Sequence, residues 1–511
     1  MRQTVRAAAG RLLRTQEHLS SEDRARAARL LIADGVCSTG MAALAGGPFL
    51  AAFALGLGAQ NYGIGLLASI GFLSQTMQIP GVVLLRALRY RRAITVACAT
   101  LSRLCWLPIV LIPVFGQGPA FLVQWLFMAG ILASIPGPSW NSLVHELVPP
   151  DRLGWVFSRR MMGGMALGLG LTLAGGYWID RWSAANPGAP LYGYSVVFVV
   201  ALAIGLAGVG TIVRLPEPPM RAIAEEPVRT ALLRPLQDAN YRRILMFMAT
   251  WTFAMNMATP FFVPYMLERQ RLSMLAITAL ATVSQIAHIA FLRVWGRLAD
   301  RYSNAWVLSA SGPLVVVGLL LWTVTTLPEE PVLTALLLLV IHLLSGMAFS
   351  AIALASGNIA MKLSPPGQAH TYLTVFGLAG ATSGAMAPLV GGLLADFFAH
   401  RGFRVTLTWS EPAQEYSIKA LELGALDFLF VVSALVGLYS LVRLRAVREE
   451  GQVSDRSVLE ELVDEVVLPF RSISTVDEMV RRLAAFPIRS WPQAAPTTDP
   501  TSERGRGEPC G

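Results

Sequence analysis

Long runs of apolar residues, separated by short polar segments, extend along most of this chain. A helix that crosses the hydrocarbon core of a bilayer needs about 20 such residues, and the chain contains about twelve runs of this length. The longest interruption, at residues 215–241, is rich in proline and charge and predicts a polar linker between two six-helix halves. The predicted spans are residues 29–56, 62–85, 93–116, 119–147, 160–180, 192–214, 242–266, 273–294, 305–327, 331–361, 370–396 and 421–444.

The two predicted halves share an internal repeat. The segment from Glu146 to Asp180 is matched, at a constant offset, by the segment from Lys362 to Asp396. Such self-similarity defines the repeating unit, which here is about half the chain. Helix glycines at small-xxx-small spacing allow close packing in lipid. The matched positions include Pro149 with Pro365, Gly164 with Gly380, Gly168 with Gly384, Gly175 with Gly391, Gly176 with Gly392 and Asp180 with Asp396.

Composition places the chain in a membrane. Of its 511 residues, 54% are hydrophobic and 14% are charged, and the mean hydropathy is +0.54, which is far more apolar than a soluble globular protein. The net charge of +9 comes almost wholly from arginine, because Lys362 and Lys419 are the only lysines. In a membrane protein such an excess meets anionic lipid headgroups more often than nucleic acid. We therefore expect no nucleic-acid partner.

Arginine is concentrated in alternate loops. Clusters at residues 86–92, 152–160 and 293–301 fall on one side, whereas the alternate short loops near Gly58, Gly116 and Glu329 contain no lysine or arginine. The positive-inside rule places the arginine-rich loops in the cytoplasm. We expect a multi-pass protein of the cell inner membrane, with both termini and the linker in the cytoplasm.

The predicted organisation comprises five segments. A basic N-terminal segment at 1–28 lacks the apolar run of a cleaved signal peptide and is either a basic anchor or a short amphipathic helix. It is followed by bundles at 29–214 and 242–445, the linker at 215–241, and a tail at 446–511. In the tail, the spacings of Ser457 to Glu460 and Thr475 to Glu478 predict helices opened by capping boxes. The residues after Trp491 are predicted to be disordered.

The segment GRLADRYS, at residues 296–303, follows a predicted span on the arginine-rich side. It resembles the signature that the major facilitator superfamily carries between the second and third helices of a half. The repeat, the twelve spans, the linker and the turn ELVPPDR also resemble that family, over about residues 29–445. The resemblance implies an all-α membrane protein of two pseudo-symmetric six-helix bundles. It also implies a secondary active or facilitative transporter that moves a small solute by alternating access.

The same resemblance implies a gate on the cytoplasmic side. Gly296 is expected to allow a tight turn, and Asp300 to place a carboxylate beside a helix N-terminus or an arginine. By the family's pseudo-symmetry, Asp300 and Arg301 should face the start of the fifth span. An ordinary solvated loop is the alternative. The matching first-half turn, LLRALRYRR, lacks the glycine and the aspartate, so we expect an uneven gate. The predicted gating residues are Gly296, Asp300, Arg301, Arg159, Arg160, Glu146 and Arg152.

Polar side chains in the middle of spans are the candidates for solute binding, because exposing them to lipid is costly. Arg103 is the strongest candidate, since an arginine at a helix centre costs about 2.5–3.5 kcal/mol. It suits either an anionic or polar solute or a structural ion pair. Any one of these residues is explained by an interhelical hydrogen bond, but together they indicate a midplane polar cavity. The predicted set is Gln75, Gln78, Arg103, Asn256, Gln285, His288 and His342.

No aspartate or glutamate lies at the middle of a predicted span. A coupling proton, which carriers commonly relay through an intramembrane carboxylate, would therefore need His288, His342 or Asp34, and facilitated diffusion stays open. We expect Asp34 to pair with an arginine at the cytoplasmic face. We find no catalytic pair, metal-ligand cluster or phosphate loop, so we expect neither an enzyme nor a cofactor. The alternative to transport is a membrane protein with a transporter fold that acts as an assembly factor or sensor.

Overall fold

The computed structural model describes residues 16, 19–220, 228–327, 330–365, 368–411 and 414–449. The predictions for residues 1–15, and for the tail from residue 450 onwards, lie outside these residues. Within them, twelve helical stretches are long and apolar enough to cross a membrane. They correspond one to one with the predicted spans, and we number them spans 1 to 12.

Spans 1 to 6 form the first half. Several of them are broken into two helices, and a short helix, Ile112–Phe115, follows span 3. The helices are Ser21–Ala45 and Gly47–Gly56 in span 1, Asn61–Gln75 and Gln78–Leu88 in span 2, Arg91–Leu104 and Trp106–Val110 in span 3, Pro119–Ser134 and Gly137–Leu147 in span 4, Pro150–Ala185 in span 5, and Leu191–Ile212 in span 6.

Spans 7 to 12 form the second half, which a linker helix, Val228–Gln237, precedes. Span 7 ends in short 3₁₀, α and π segments, and two strands, β1 and β2, lie between spans 11 and 12. The elements are Ala239–Ala258, Thr259–Phe261, Phe262–Pro264 and Tyr265–Arg269 in span 7, Met274–Arg301 in span 8, Asn304–Thr323 in span 9, Pro331–Lys362 in span 10, Ala369–Phe398 in span 11, β1 at Gly402–Glu411, β2 at Gln414–Gly424, and Leu426–Leu444 in span 12.

The two ends of the bundle are named by the elements that lie there. The linker end carries residues 213–220 and the linker helix, and the hairpin end carries β1 and β2, which pair antiparallel from Gly402 with Gly424. Odd-numbered spans run from the linker end to the hairpin end. The arginine clusters at 86–92, 152–160 and 293–301 therefore lie at the linker end.

Local sequence explains where helices break and where they pack. Gly47 has a φ of +50°, a conformation that side chains with a Cβ rarely adopt, and Pro48 then opens the next helix. Repeat glycines bring span 5 close to span 1, since a Cβ on Gly164 would lie 2.7 Å from the hydroxyl oxygen of Thr39. This confirms the predicted packing role at Gly164. Its repeat partner Gly380 differs, because a Cβ there would meet nothing within 4 Å.

Several predicted boundaries are wrong. Span 1 begins at Ser21 rather than at residue 29, so residues 21–28 of the predicted basic segment are helical, because the side chain of Ser20 caps this helix by accepting a hydrogen bond from the backbone of Asp23. Span 5 begins at Pro150 rather than at residue 160, because a proline is well suited to the first turn of a helix. Span 8 continues to Arg301, so residues 296–301 are helical and the turn follows them. Residues 421–424, assigned to the start of span 12, belong to β2 instead. The alternation of apolar and polar residues from Phe403 to Thr408 is typical of a strand. A search for long apolar runs does not detect this alternation.

Candidate functional site

A polar cavity of about 240 Å³ lies inside the first half. Spans 1, 3, 4, 5 and 6 all contribute to its wall, and the cavity begins near the linker end, where Ile212 closes span 6. Arg103 lies about twelve residues into span 3, or about 18 Å along its axis. The cavity therefore extends toward the middle of the bundle. Its polar lining side chains are Asp34, Ser38, Thr95, Arg103, Asn141 and Arg160, and Trp140 adds an aromatic wall.

An ion pair joins spans 1 and 5 in this cavity. Nη2 of Arg160 lies 3.1 Å from Oδ2 of Asp34, and the Arg160 guanidinium lies 4.5 Å from the centroid of the Trp140 ring. Gly35 makes this geometry possible, because a Cβ at that position would lie 1.9 Å from Cγ of Arg160. The expected pairing of Asp34 with an arginine is confirmed, and its partner is Arg160.

Arg103 reaches the same cavity from span 3. Span 6 leaves room for its stem at Gly205, where an added Cβ would lie 3.1 Å from Cγ of Arg103. Nη1 of Arg103 donates a long hydrogen bond, of 3.5 Å, to the carbonyl oxygen of Ala99 in its own helix. Arg103 also interacts electrostatically with Asp34. A half-buried arginine whose hydrogen bond to the protein is long is suited to a charged or polar ligand.

At the hairpin end, two aspartates connect the halves. The carboxylate of Asp180, at the end of span 5, accepts backbone hydrogen bonds of 2.8 Å from Met274 and from Leu275 at the start of span 8. The carboxylate of Asp396, at the end of span 11, accepts backbone hydrogen bonds from Asn61 and Tyr62 at the start of span 2, at 3.2 and 2.9 Å. Each half therefore caps the N-terminus of a helix in the other half, where the helix dipole favours a negative charge.

Close backbone approach accompanies these caps. A Cβ on Gly176 would lie 2.2 Å from the hydroxyl oxygen of Thr278, and one on Gly65 would lie 2.1 Å from the carbonyl oxygen of Pro388. The repeat glycine Gly392 approaches Asn61 in the same way, at 2.7 Å. Four of these six residues are glycine or proline, whose small or hydrogen-free backbone positions let helices of opposite halves touch. The hairpin end is tightly closed.

At the linker end, acidic residues connect spans within each half. In the first half, Glu217 is buried and accepts backbone hydrogen bonds from Arg91 and Arg92 at 3.1 and 2.6 Å. Nη1 of Arg91 lies 2.5 Å from Oε2 of Glu146. Arg91, at the start of span 3, is therefore in contact both with Glu217 of the linker and with Glu146 at the end of span 4. Glu217 is buried rather than solvated.

The second half has a related arrangement, in which an acidic residue after the last span again accepts hydrogen bonds from the start of the third span of its half. Glu449 follows span 12 and accepts hydrogen bonds of 2.9, 2.8 and 2.9 Å from the Asn304 amide, the Ala305 backbone and Lys362. Burial favours the neutral carboxyl, but these hydrogen bonds outweigh it and hold the pKa of Glu449 below its ordinary value. Lys362 occupies the repeat position of Glu146, so the same position carries opposite charges in the two halves.

The predicted gate is not assembled in this structure. Gly296 lies within a helix and makes no tight turn, and the nearest side-chain atom to a Cβ there would be Cδ1 of Leu354 at 4.0 Å. Asp300 is exposed and has no ion pair among the described residues. Arg160 pairs with Asp34 instead. The reason is geometric, because the halves meet tightly at the opposite end.

The remaining predicted gating residues each have at least one contact within their own half. Glu146 pairs with Arg91 as described above. The contacts of the other three include Arg301 over the ring of Tyr302 at 5.2 Å, Arg159 over the ring of Trp155 at 5.1 Å, and Arg152 beside Asp151 at 3.7 Å.

Of the seven predicted solute-binding residues, Arg103 lines the cavity and the others lie elsewhere. His342 is buried in the second half, with Nδ1 2.8 Å from the Leu338 carbonyl and its ring 5.7 Å from that of Trp322, so it is a packed core residue. Asn256 donates to the carbonyl of Thr252 in its own helix at 2.9 Å. Gln75 and Gln78 are exposed in span 2, and Gln285 and His288 are half-buried in span 8.

Reasoning from the sequence missed the second arginine of the cavity and both capping aspartates. Arg160 was assigned to the gate. Asp180 and Asp396 appeared only as matched positions of the repeat. The available signal for the caps was the match of an acidic residue at the same place in both copies of the repeat. Turn prolines and packing glycines explain the other matched positions, but they do not explain a matched charge.

Comparison with known proteins agrees with this architecture. The family model described as Major Facilitator Superfamily matches residues 35–388 and 246–469, whereas no curated protein sequence matches the chain. The solved structure of the nucleoside transporter NupG has a TM-score of 0.60 at 12% identity, with 83% of this chain and 98% of that chain covered.

Two further structures share the fold. A bacterial homologue of the human lysosomal transporter Spinster, inward-facing and occupied, has a TM-score of 0.57 at 14% identity and covers 85% of this chain and 99% of its own. A POT family transporter in complex with a thioalcohol-conjugated peptide has a TM-score of 0.57 at 13% identity and covers 83% and 96%. Such low identities show the fold alone, while the family model spans most of the chain. The chain therefore belongs to the major facilitator superfamily and is a membrane solute transporter.

Proposed function

We propose that this transporter moves a small solute by alternating access, and that the structure represents the state closed at the hairpin end. The observation that supports this most directly is the reciprocal capping by Asp180 and Asp396. These contacts are polar, join the two halves, and lie at one end of the bundle. Such contacts can be exchanged for water when the halves rock apart, as a transporter that alternates between two states requires.

The opposite state requires the linker ends of the halves to meet. In that state Asp300 and Arg301 of span 8 approach Arg159 and Arg160 of span 5, as the family resemblance implies. The ion pair between Arg160 and Asp34 links this gate to the cavity, because the same guanidinium lines the cavity. Binding in the cavity and closure of the linker end are therefore coupled through Arg160.

The orientation in the membrane follows from the arginines. Their clusters lie at the linker end, so the positive-inside rule favours a cytoplasmic linker end, with both termini on that side of a cell inner membrane. Arginines there are also suited to anionic lipid headgroups. The proposal includes both secondary active and facilitative transport. Asp34 is the acidic residue of the cavity lining and is the group we assign to a coupling proton or ion. Transport is favoured over a role as a sensor or assembly factor by the family assignment.

A reversible cross-link tests alternating access. All native cysteines are first replaced, and cysteines are then introduced in place of Tyr62 and Asp396, which meet at the hairpin end. Solute flux into proteoliposomes is measured with a panel of radiolabelled metabolites. A disulfide at this site should stop flux, and reduction should restore it. Unchanged flux through the fully cross-linked protein would refute the proposal.

A further inference from the structure

We infer that the cavity in the first half binds the negatively charged group of a small organic monoanion, held by Arg103 and Arg160. This inference rests on the proposed function, because it names the class of solute that the transporter moves. It follows from three properties of the cavity, namely its charge, its hydrogen-bond donors and its size.

The charges that line the cavity do not balance. Arg103 and Arg160 each carry a positive charge that arginine keeps in proteins, whereas Asp34 is the one acidic residue in the described lining. Asp34 pairs with Arg160 at 3.1 Å. A charge removed from water is costly without a counter-charge. One positive charge is in excess, and a ligand with a single negative charge compensates it.

Hydrogen-bond donors are available on both guanidinium groups. The buried Nε of Arg103 and the buried Nη1 of Arg160 each have no hydrogen-bond partner among the described residues. A buried donor without an acceptor is unfavourable, and planar guanidinium groups match the geometry of a carboxylate. The two oxygens of one carboxylate can accept from both arginines, while Asp34 keeps its bond to Nη2 of Arg160.

The remaining wall sets the size and polarity of the ligand. About 240 Å³ is below the range of drug-sized ligand pockets and suits a small acid. Trp140 and Ile212 provide an apolar surface, and Ser38 and Asn141 provide polar atoms for a hydroxyl or amide substituent. A dianion would exceed the available positive charge. The structure therefore favours a small monocarboxylate over a phosphate ester or a dicarboxylate.

Ligand-induced thermal stabilisation of the purified full-length protein tests this assignment. The probes are acetate, lactate and benzoate, each compared with its uncharged amide, together with succinate as a dianion, at constant ionic strength set with sodium chloride. At least one monocarboxylate should raise the melting temperature in a saturable manner, and its amide should not. In Arg103→Gln the apparent affinity should fall about 10- to 100-fold, the range expected for loss of a charged hydrogen bond.

Two further variants keep the test decisive. Arg103→Lys preserves the charge beside Asp34 and should fold even where Arg103→Gln does not. It lacks the planar, forked donors of the guanidinium group and should therefore also weaken binding. Arg293→Gln removes an exposed arginine of span 8, outside the cavity, and should bind as the wild type does. Equal stabilisation by acid and amide, stronger stabilisation by succinate, unchanged affinity in both Arg103 variants, or no effect of any monocarboxylate would overturn the inference.

The cross-link experiment separates this inference from the proposed function. Flux of an uncharged solute that stops when the hairpin end is cross-linked would leave alternating access standing and overturn the monoanion assignment. Binding of a monocarboxylate that depends on Arg103, with flux unaffected by the cross-link, would support the site and refute alternating access at this interface.

Discussion

Replacing Asp180 and Asp396 with alanine should open the hairpin end of the transporter. Each carboxylate accepts two backbone hydrogen bonds from the first turn of a helix in the other half. Loss of a side-chain cap costs about 0.5–2 kcal/mol, and loss of the charge beside the helix dipole adds about 0.3–1 kcal/mol. We therefore expect about 1–3 kcal/mol for each aspartate and about 2–6 kcal/mol for both.

This energy acts on the equilibrium between the two states. The caps exist only while the halves meet at the hairpin end, so the whole difference favours the closed state. Since about 1.4 kcal/mol corresponds to a tenfold change in an equilibrium constant, the double variant should shift the equilibrium toward the open state by about 30- to 20,000-fold. Replacement by asparagine should shift it less, because asparagine is a comparable cap that lacks only the charge.

Cysteine labelling measures this shift. In a background without the four native cysteines, Thr278→Cys places a thiol at a fully buried position against Gly176. The rate of maleimide labelling in nanodiscs reports the population of the open state, and it should rise in the order parent, double asparagine, double alanine.

Asp238→Ala is the matched control. Asp238 caps span 7 with two backbone hydrogen bonds, from Asn240 and Tyr241, at 2.9 and 3.0 Å, all within one half. Its loss should lower thermal stability without raising the labelling rate. A labelling rate in the double alanine variant within about twofold of the parent, or an equal rise in Asp238→Ala, would show that the caps do not hold the hairpin end closed.

Three other predictions follow from the site and its surroundings. Glu449→Ala should destabilise the protein by about 2–3 kcal/mol at pH 7. Because the folded pKa is lowered from 4.5, this difference should persist above pH 4.5 and disappear as the pH falls through the folded pKa, as thermal unfolding at several pH values will show. Gly35→Ala should displace Arg160 and weaken anion-induced stabilisation at least about tenfold, whereas Gly210→Ala, where a Cβ meets nothing within 4 Å, should leave it unchanged. Asp300→Asn should slow uptake while membrane insertion stays intact, and unaltered uptake kinetics would exclude Asp300 from the gate.

Part of the candidate site was predictable from single residues. Arg103 was identified because a charge in the middle of a span must be compensated, whatever the rest of the fold. Asp34 was correctly expected to pair with an arginine, but its partner was not named. Arg160 was the harder case, because its place at the arginine-rich end of span 5 equally suited a gate. The side chain of Arg160 reaches Asp34 because span 5 packs closely against span 1 at Gly35, and this packing is a feature of the tertiary structure.

The amino-acid sequence by itself determined the twelve spans, their division into two halves, and the distribution of arginine between the ends. Each of these depends on local hydropathy, charge or self-similarity. These properties can be obtained from the sequence without knowledge of the tertiary contacts. The tertiary structure decided which helix ends meet. Asp180 and Asp396 are equivalent in the repeat. Their partners, on spans 8 and 2, depend on how the two halves pack against each other. The gate residues and the caps occupy opposite ends of the same helices, so one arrangement of the halves can bring only one of these sets into contact.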